Sequence, residues 1–265
     1  MRLNITKIGQ GKPLVSIVGC LHGDEVIGKK VIDELKKVDL LKGSLKLIIA
    51  NEKAMQKKQR MITKDLNRSF PGKKNGNYEE RLAYCISKEI EDSDIVIDIH
   101  ATTSDFDRIV IVTNLQKTTK NLLRLVPCKN VALIRKNVFG GGEMIRFAKI
   151  GLAIEYGPDK KGANYRKALL EIMTVLKNLG MIKGPVILHD KKELYTVGVS
   201  YKVPLLFETS KNVKNFKLIK KDATIGCSAG KKIRSNKEFY PIFVGEESYK
   251  GILAITASKS KLNLF

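Results

Sequence analysis

Up to about residue 180 the chain alternates two hydrophobic rhythms. Short, nearly continuous aliphatic runs at residues 14–19, 45–50, 95–100, 108–113, 130–134 and 151–155 predict strands covered on both faces. Between them, apolar residues recur at helical spacing, as with Leu82, Ile86 and Ile90 in the segment 78–91. The same reasoning predicts helices from Glu25 to about Val38, over 53–58, 115–125 and 164–179, and one carrying Arg146 after the Gly140-Gly141-Gly142 turn. Residues 2–8 alternate as an edge strand would, and Gly9 to Pro13 form a turn. Strands alternating with helices give an α/β fold with a mixed, mostly parallel sheet flanked by helices.

Past Gly180 the pattern changes. Short β-rich runs at 194–199, 203–208 and 252–256 are separated by polar turns, without long helical periodicity. The expected division is therefore residues 1–182 for the α/β unit and 183–265 for a smaller, β-rich, mostly antiparallel C-terminal domain. No internal repeat or low-complexity tract interrupts the chain.

A length of 265 residues suffices for one large core or a medium and a small one. Hydrophobic content of 43% and charged content of 29% suit a globular protein, and no apolar run approaches the roughly 20 residues that span a bilayer. The start, MRLNITKIGQ, has polar Asn4, Thr6 and Lys7 where a secretory signal would be apolar, so the expected location is cytoplasmic, without membrane attachment. Four cysteines without a Cys-x-x-Cys pair indicate neither a disulfide framework nor a thiolate metal site. The net charge of +22 raises the question of nucleic acid. Its excess is lysine spread over every segment, without an arginine stripe or interleaved aromatics, so a solvated basic surface is expected and no specific nucleic-acid partner. That field favours anionic substrates.

The candidate chemistry sits where buried strands end. The run through Val18 and Gly19 stops at His22, Gly23, Asp24 and Glu25, and open α/β sheets place ligands at such carboxyl ends. A lone histidine ending a strand is more often structural, and His-x-x-Glu alone is a weak signal. Of three histidines, however, a second, His100, ends another buried strand, whereas His189 lies in a polar setting expected on a loop. Imidazole and carboxylate together suit zinc, whose catalytic sites use three protein ligands and leave a fourth position for water. Glu155 also ends an apolar strand and needs a partner there. The segment RMITKDLNRSFPG, residues 60–72, puts Arg60, Asn67 and Arg68 in a loop, a composition suited to carboxylate recognition.

Taken in order, HGDE, RMITKDLNRSFPG, DIHATTS, AIEYGP and the C-terminal FYPIFVGEESY resemble the succinylglutamate desuccinylase/aspartoacylase family of zinc-carboxypeptidase-like hydrolases, nearer the aspartoacylase branch. The resemblance implies His22, Glu25 and His100 as ligands of about one Zn2+ per chain, and Glu155 as the catalytic glutamate. It gives Arg60 a catalytic role at the developing oxyanion and implies substrate-binding roles for Asn67, Arg68 and Tyr249. Arg146 is offered as a further substrate-binding arginine, although its distance to Glu155 is one residue shorter than in aspartoacylases. The implied function is removal of the acyl group from an N-acyl amino acid of the N-acetyl-aspartate type, by attack of zinc-bound water with Glu155 as general base. The alternatives are succinylglutamate desuccinylase or carboxypeptidase-type activity, or a basic nucleic-acid-binding protein on a hydrolase fold. The expected partner is a small anionic N-acyl amino acid, and a homo-oligomer is left open.

Overall fold

The computed structural model describes residues 3–135, 138–158 and 162–265. Its strands are β1 (Asn4–Gln10), β2 (Leu14–Gly19), β3 (Gly43–Ile49), β4 (Ile95–Ala101), β5 (Arg108–Val112), β6 (Asn130–Leu133), β7 (Gly151–Tyr156), β8 (Lys192–Lys202), β9 (Phe207–Thr209), β10 (Thr224–Ser228), β11 (Lys231–Arg234), β12 (Tyr240–Ile242) and β13 (Ile252–Leu262). The helices are α1 (Ile27–Leu35), α2 (Glu52–Gln56), α3 (Tyr78–Ile90), α4 (Lys117–Leu125) and α5 (Ala163–Asn178).

Ten strands form one sheet in the order β1-β3-β2-β4-β7-β5-β6-β8-β13-β12. Its centre is parallel, with β2 between β3 and β4, and β4 beside β7. β5 runs antiparallel to β7, and β13 pairs antiparallel with both β8 and β12. The continuous aliphatic runs are explained by cover on both faces. On one face, Ile17, Ile97, Val110 and Ile154 pack with Val31, Leu122 and Ile172 of α1, α4 and α5. On the other, α3 buries Leu82, Ile86 and Ile90 against Val18, Ile48 and Val96. Farther along that second face, Ile109, Ile111 and Ala153 pack instead with Tyr195, Ile242 and Ile255 from the C-terminal segment. The strand ends carrying His100 and Glu155 lie where these two covers meet.

The expected division at residue 182 falls near an extended connection that leads into β8, and the sheet continues past it. β8, β13 and β12 belong to the main sheet, while β9, β10 and β11 make a separate three-stranded antiparallel sheet over Val213, Ile219, Ile225 and Phe239. β8 and β13 are each 11 residues long, longer than the expected runs because flanking polar residues, among them Ser200 in β8 and Ser258 in β13, stay paired in the ladder.

Local details also depart from expectation for identifiable reasons. Helix α1 begins at Ile27, after Glu25, which leaves the glutamate in the turn. Helix α3 starts at a capping box in which Asn77 Oδ1 accepts from the Glu80 amide at 3.0 Å and Glu80 Oε2 accepts from the Asn77 amide at 3.1 Å. In place of a helix carrying Arg146 there is a 3-10 turn, Met144–Phe147, closed by the return of the chain into β7 at Gly151. A Cβ at Gly151 would lie 2.3 Å from the Ile145 carbonyl oxygen, which pins that turn against the strand.

Candidate active site

β2 delivers the chain to a buried turn in which the Glu25 amide bonds the His22 carbonyl at 3.2 Å. Gly23 is needed here for close approach rather than for its backbone angles, since a Cβ would lie 2.2 Å from Ala54 C of α2. The turn points His22 and Glu25 at His100, at the end of the neighbouring strand β4. All three are buried, and one ligand atom from each falls within 4.8 Å of the others. Glu25 is the hub: its Oε1 lies 2.6 Å from His22 Nδ1, and its Oε2 lies 2.8 Å from His100 Nδ1 and accepts from the Ala101 amide at 3.0 Å.

Each imidazole turns its other nitrogen to a second carboxylate. His22 Nε2 lies 3.0 Å from Asp65 Oδ1, and His100 Nε2 lies 2.7 Å from Asp98 Oδ2. Outer carboxylates of this kind fix ring orientation and raise ligand basicity at metal centres. Two imidazole nitrogens and a carboxylate, converging and held from behind, fit the donor set of a zinc site. Electrostatics agree. Burial disfavours the charged imidazole of His22, but Glu25 and Asp65 outweigh it and raise its pKa; for His100, Asp98 and Glu25 do the same more strongly. Burial would raise the Glu25 carboxyl, yet the two histidines hold it well below the carboxylate range. The carboxylates of Glu25, Asp65 and Asp98 thus make the surroundings of the two imidazoles favourable to positive charge.

The loop between α2 and α3 supplies the next layer, anchored by fully buried Glu79 on α3. Its Oε1 accepts from the Ile62 amide at 2.6 Å, and its Oε2 accepts from the Thr63 and Lys64 amides at 3.0 and 3.2 Å. That anchor sets Arg60, whose Nη1 donates to Glu25 Oε1 and Nη2 to Asp65 Oδ2, both at 3.2 Å. Asp65 caps the 3-10 turn Leu66–Arg68 through the Asn67 amide at 2.8 Å. Asn67 Nδ2 stands 3.4 Å from His100 Nε2, and its Oδ1 accepts from the Met144 amide at 2.9 Å. Arg68 donates from Nη1 to the Asn67 carbonyl at 2.7 Å, and its guanidinium carbon lies 4.9 Å from the centre of the Phe139 ring.

Glu155 pairs in register with His100, so both side chains project from the same face of adjacent strands. Burial pushes its carboxyl up to about 7, against the pull of His100. Beside it is a cavity of about 50 Å3 lined by Asn67, Arg68, His100, Glu143, Glu155 and Tyr249, with Phe139 and Phe243 among its apolar walls. The Tyr249 phenol is pushed up to about 12 by burial and then by Glu155, so it stays protonated. The segment 244–248 before it is tied to the loop after His100. Glu246 Oε2 accepts from the Thr102 hydroxyl and, at 2.9 Å, from the Thr103 amide, while the Glu247 amide donates to Thr103 Oγ1 at 2.9 Å.

Of the residues expected at the site, the structure thus gathers His22, Glu25, His100, Arg60, Asn67, Arg68, Glu155 and Tyr249. Arg146 differs: its Nε donates to Glu143 Oε2 at 3.0 Å and its Nη2 to the Ile134 carbonyl at 3.3 Å, and it does not line the cavity. His189 lies on the connection before β8, with its amide bonded to the Arg124 carbonyl at 2.7 Å.

A family model described as the succinylglutamate desuccinylase/aspartoacylase catalytic domain matches residues 12–176. The chain belongs to this family. A probable aspartoacylase of Prochlorococcus marinus (strain MIT 9515) is 26% identical over 271 residues, covering 89% of this chain and 90% of the relative. Among solved structures, murine aminoacylase 3 aligns with a TM-score of 0.78 at 18% identity, over 96% of this chain and 98% of that one. A succinylglutamate desuccinylase/aspartoacylase of Rhodobacter sphaeroides aligns at 0.76 and 20% identity, over 98% of this chain and 89% of that one. These likenesses show that the sheet and its C-terminal extension follow the aspartoacylase-family fold. The family is one of acylase-type hydrolases, so the chain is placed among enzymes. Among the described residues no helix is long and apolar enough to cross a membrane.

The carboxylates around this aspartoacylase-family site were not assigned from the sequence. Asp98 had a signal: a charge inside the apolar run of β4, two residues before His100 and so on the same face. Asp65, sitting in the arginine-rich loop, had a weaker one. Glu143, Glu79 and Glu246 had none, because their partners are brought in by tertiary folding.

Proposed function

We propose that the protein is a zinc-dependent hydrolase that removes the acyl group from an N-acyl amino acid. The observation carrying this reading is a buried His22, Glu25 and His100 trio with ligand atoms within 4.8 Å, beside a half-buried glutamate whose carboxyl is pushed up to about 7 by desolvation. His22, Glu25 and His100 would hold the metal. Zinc bound there would supply Lewis acidity, polarising the acyl carbonyl and acidifying water.

The chain's own residues supply the rest. Glu155 takes the proton from the attacking water and returns it to the departing amine, and a pKa close to working pH suits both transfers. Arg60 donates toward the negative charge developing on the carbonyl oxygen, using N–H groups left over from its bonds to Glu25 and Asp65. Losing one such donor typically raises the barrier by on the order of 3 kcal/mol. Arg68, spread against Phe139, presents a cation for the substrate α-carboxylate, and protonated Tyr249 adds a hydroxyl donor. Asn67 lines the same cavity and keeps an amide N–H for the substrate beside its contacts to Met144 and His100.

The test is metal analysis of the purified protein, followed by hydrolysis assays on N-acetyl and N-succinyl amino acids with a C-terminal peptide as control. About one zinc per chain with release of free amino acid from the acyl substrates is expected. Cleavage of the peptide alone would replace the deacylase reading with a carboxypeptidase one.

A further inference from the structure

The cavity beside Glu155 contains an acid that the family resemblance did not supply. Glu143 is only 4% exposed, yet one of its carboxylate oxygens, Oε1, has no hydrogen-bond partner. Leaving such an oxygen buried and unbonded costs free energy, so an acceptor kept in that condition points to a donor that arrives from outside. The residue lines the same cavity as Arg68, Glu155 and Tyr249. Its other oxygen is held by Arg146, which is itself tethered to the Ile134 carbonyl. The arginine expected to receive a substrate carboxylate is therefore bound to a carboxylate of the protein, and the unbonded Oε1 belongs to a residue of the cavity wall.

We propose that Glu143 is a specificity residue, and that the preferred N-acyl amino acid carries a short side chain ending in a hydrogen-bond donor, foremost an ammonium group. The inference rests on the deacylase reading. Arg68 takes the α-carboxylate, leaving Glu143 to meet the side chain. An ammonium forms a charge-assisted bond with Oε1. An apolar side chain leaves that oxygen unbonded, and the carboxylate of an aspartate-type substrate faces it with like charge. The small volume of the cavity, about 50 Å3, restricts the side chain to a short one.

Three substrates of similar length decide it on the zinc-loaded protein: the α-N-acetyl forms of 2,4-diaminobutyrate, 2-aminobutyrate and aspartate. The expected kcat/KM order is diaminobutyrate, then aminobutyrate, then aspartate, with the first ahead of the second by roughly 10- to 100-fold, the usual worth of a hydrogen bond to a charged group. Glu143→Gln should erase most of that lead, chiefly through KM, and improve the aspartate derivative relative to the diaminobutyrate one. Aspartate first in the parent protein overturns the proposal, as does an unchanged ranking in a folded Glu143→Gln protein with parental zinc content. If that variant does not fold, the parent ranking decides alone. If no acyl amino acid is hydrolysed, the deacylase reading fails separately, and calorimetry with free 2,4-diaminobutyrate and free aspartate still tests the pocket. Tighter binding of the diamino acid upholds the proposal; tighter binding of aspartate, or none of either, overturns it.

Discussion

Replacing Glu155 with glutamine should slow the enzyme and stabilise the protein at once, and the second effect can be sized from the structure. Burial raises the carboxyl from its ordinary 4.5 to about 7, a difference of about 2.5 pH units. At about 1.4 kcal/mol per unit, ionising it inside the fold destabilises the native state by about 3 kcal/mol relative to the unfolded chain. Because the folded pKa is the higher one, the neutral carboxyl contributes fully below pH 4.5, and that contribution is lost as pH rises through about 7. Glutamine keeps the shape and cannot ionise. In chelated protein, the stability gap between Glu155→Gln and the parent should therefore grow by roughly 2 to 3 kcal/mol from pH 5 to pH 8. Denaturant unfolding of both proteins at each pH measures it, the titrating groups remote from Glu155 being common to both. With zinc restored, the same variant should retain metal and lose most turnover, because an amide cannot carry the proton. A gap that stays flat with pH would mean that Glu155 titrates like an exposed glutamate. Near-parental kcat would mean that another group moves the proton.

Other changes probe the surroundings of the trio. His100→Ala should lose both metal and activity, while Asp98→Asn, which disturbs the 2.7 Å contact behind His100, should weaken metal affinity by roughly 10- to 100-fold; a chelator competition titration separates them, and parental affinity in Asp98→Asn would remove the outer carboxylate from the account. Tyr249→Phe should keep fold and zinc but weaken substrate use by ~1 to 3 kcal/mol, mainly in KM. Steady-state kinetics identical to the parent on every substrate would take the phenol out of the site. Glu79→Gln removes the charge that gathers the amides of Ile62, Thr63 and Lys64, and should lower stability by about 2 kcal/mol and turnover through displacement of Arg60. An unchanged denaturation midpoint would show that the loop holds its shape without it.

What could be read from the sequence follows from how local the governing physics is. The strands ending in His22, His100 and Glu155 were legible because burial on both faces writes an uninterrupted aliphatic run, and polar residues at its end need a reason. Arg60, Asn67 and Arg68 were legible from the composition of their loop. Arg146 was read as facing substrate because the resemblance located it along the chain, whereas its direction depends on a 3-10 turn pinned against Gly151 and on a bond to Glu143. The membership of β8, β12 and β13 in the main sheet could not be read either, since antiparallel partners are chosen by packing far along the chain.

The tie between Glu246 and the loop after His100 has a consequence for which parts of the molecule exchange amide hydrogens first. Its bonds join residues about 144 positions apart and lie near the surface, and breaking them disturbs neither the β4 and β7 ladder nor the histidines behind it. The amides of Thr103, Glu247 and Ser248 should therefore exchange through a small local opening, whereas those of β4 wait for global unfolding. Burial alone would raise the Glu246 carboxyl, but bonds from Thr102, Ser248 and Thr103 hold it below its ordinary value. The tie is thus intact at neutral pH and is released as acid protonates that carboxylate. Only acid below the ordinary glutamate range would free the segment leading to Tyr249, through an opening that does not involve the sheet carrying the metal ligands.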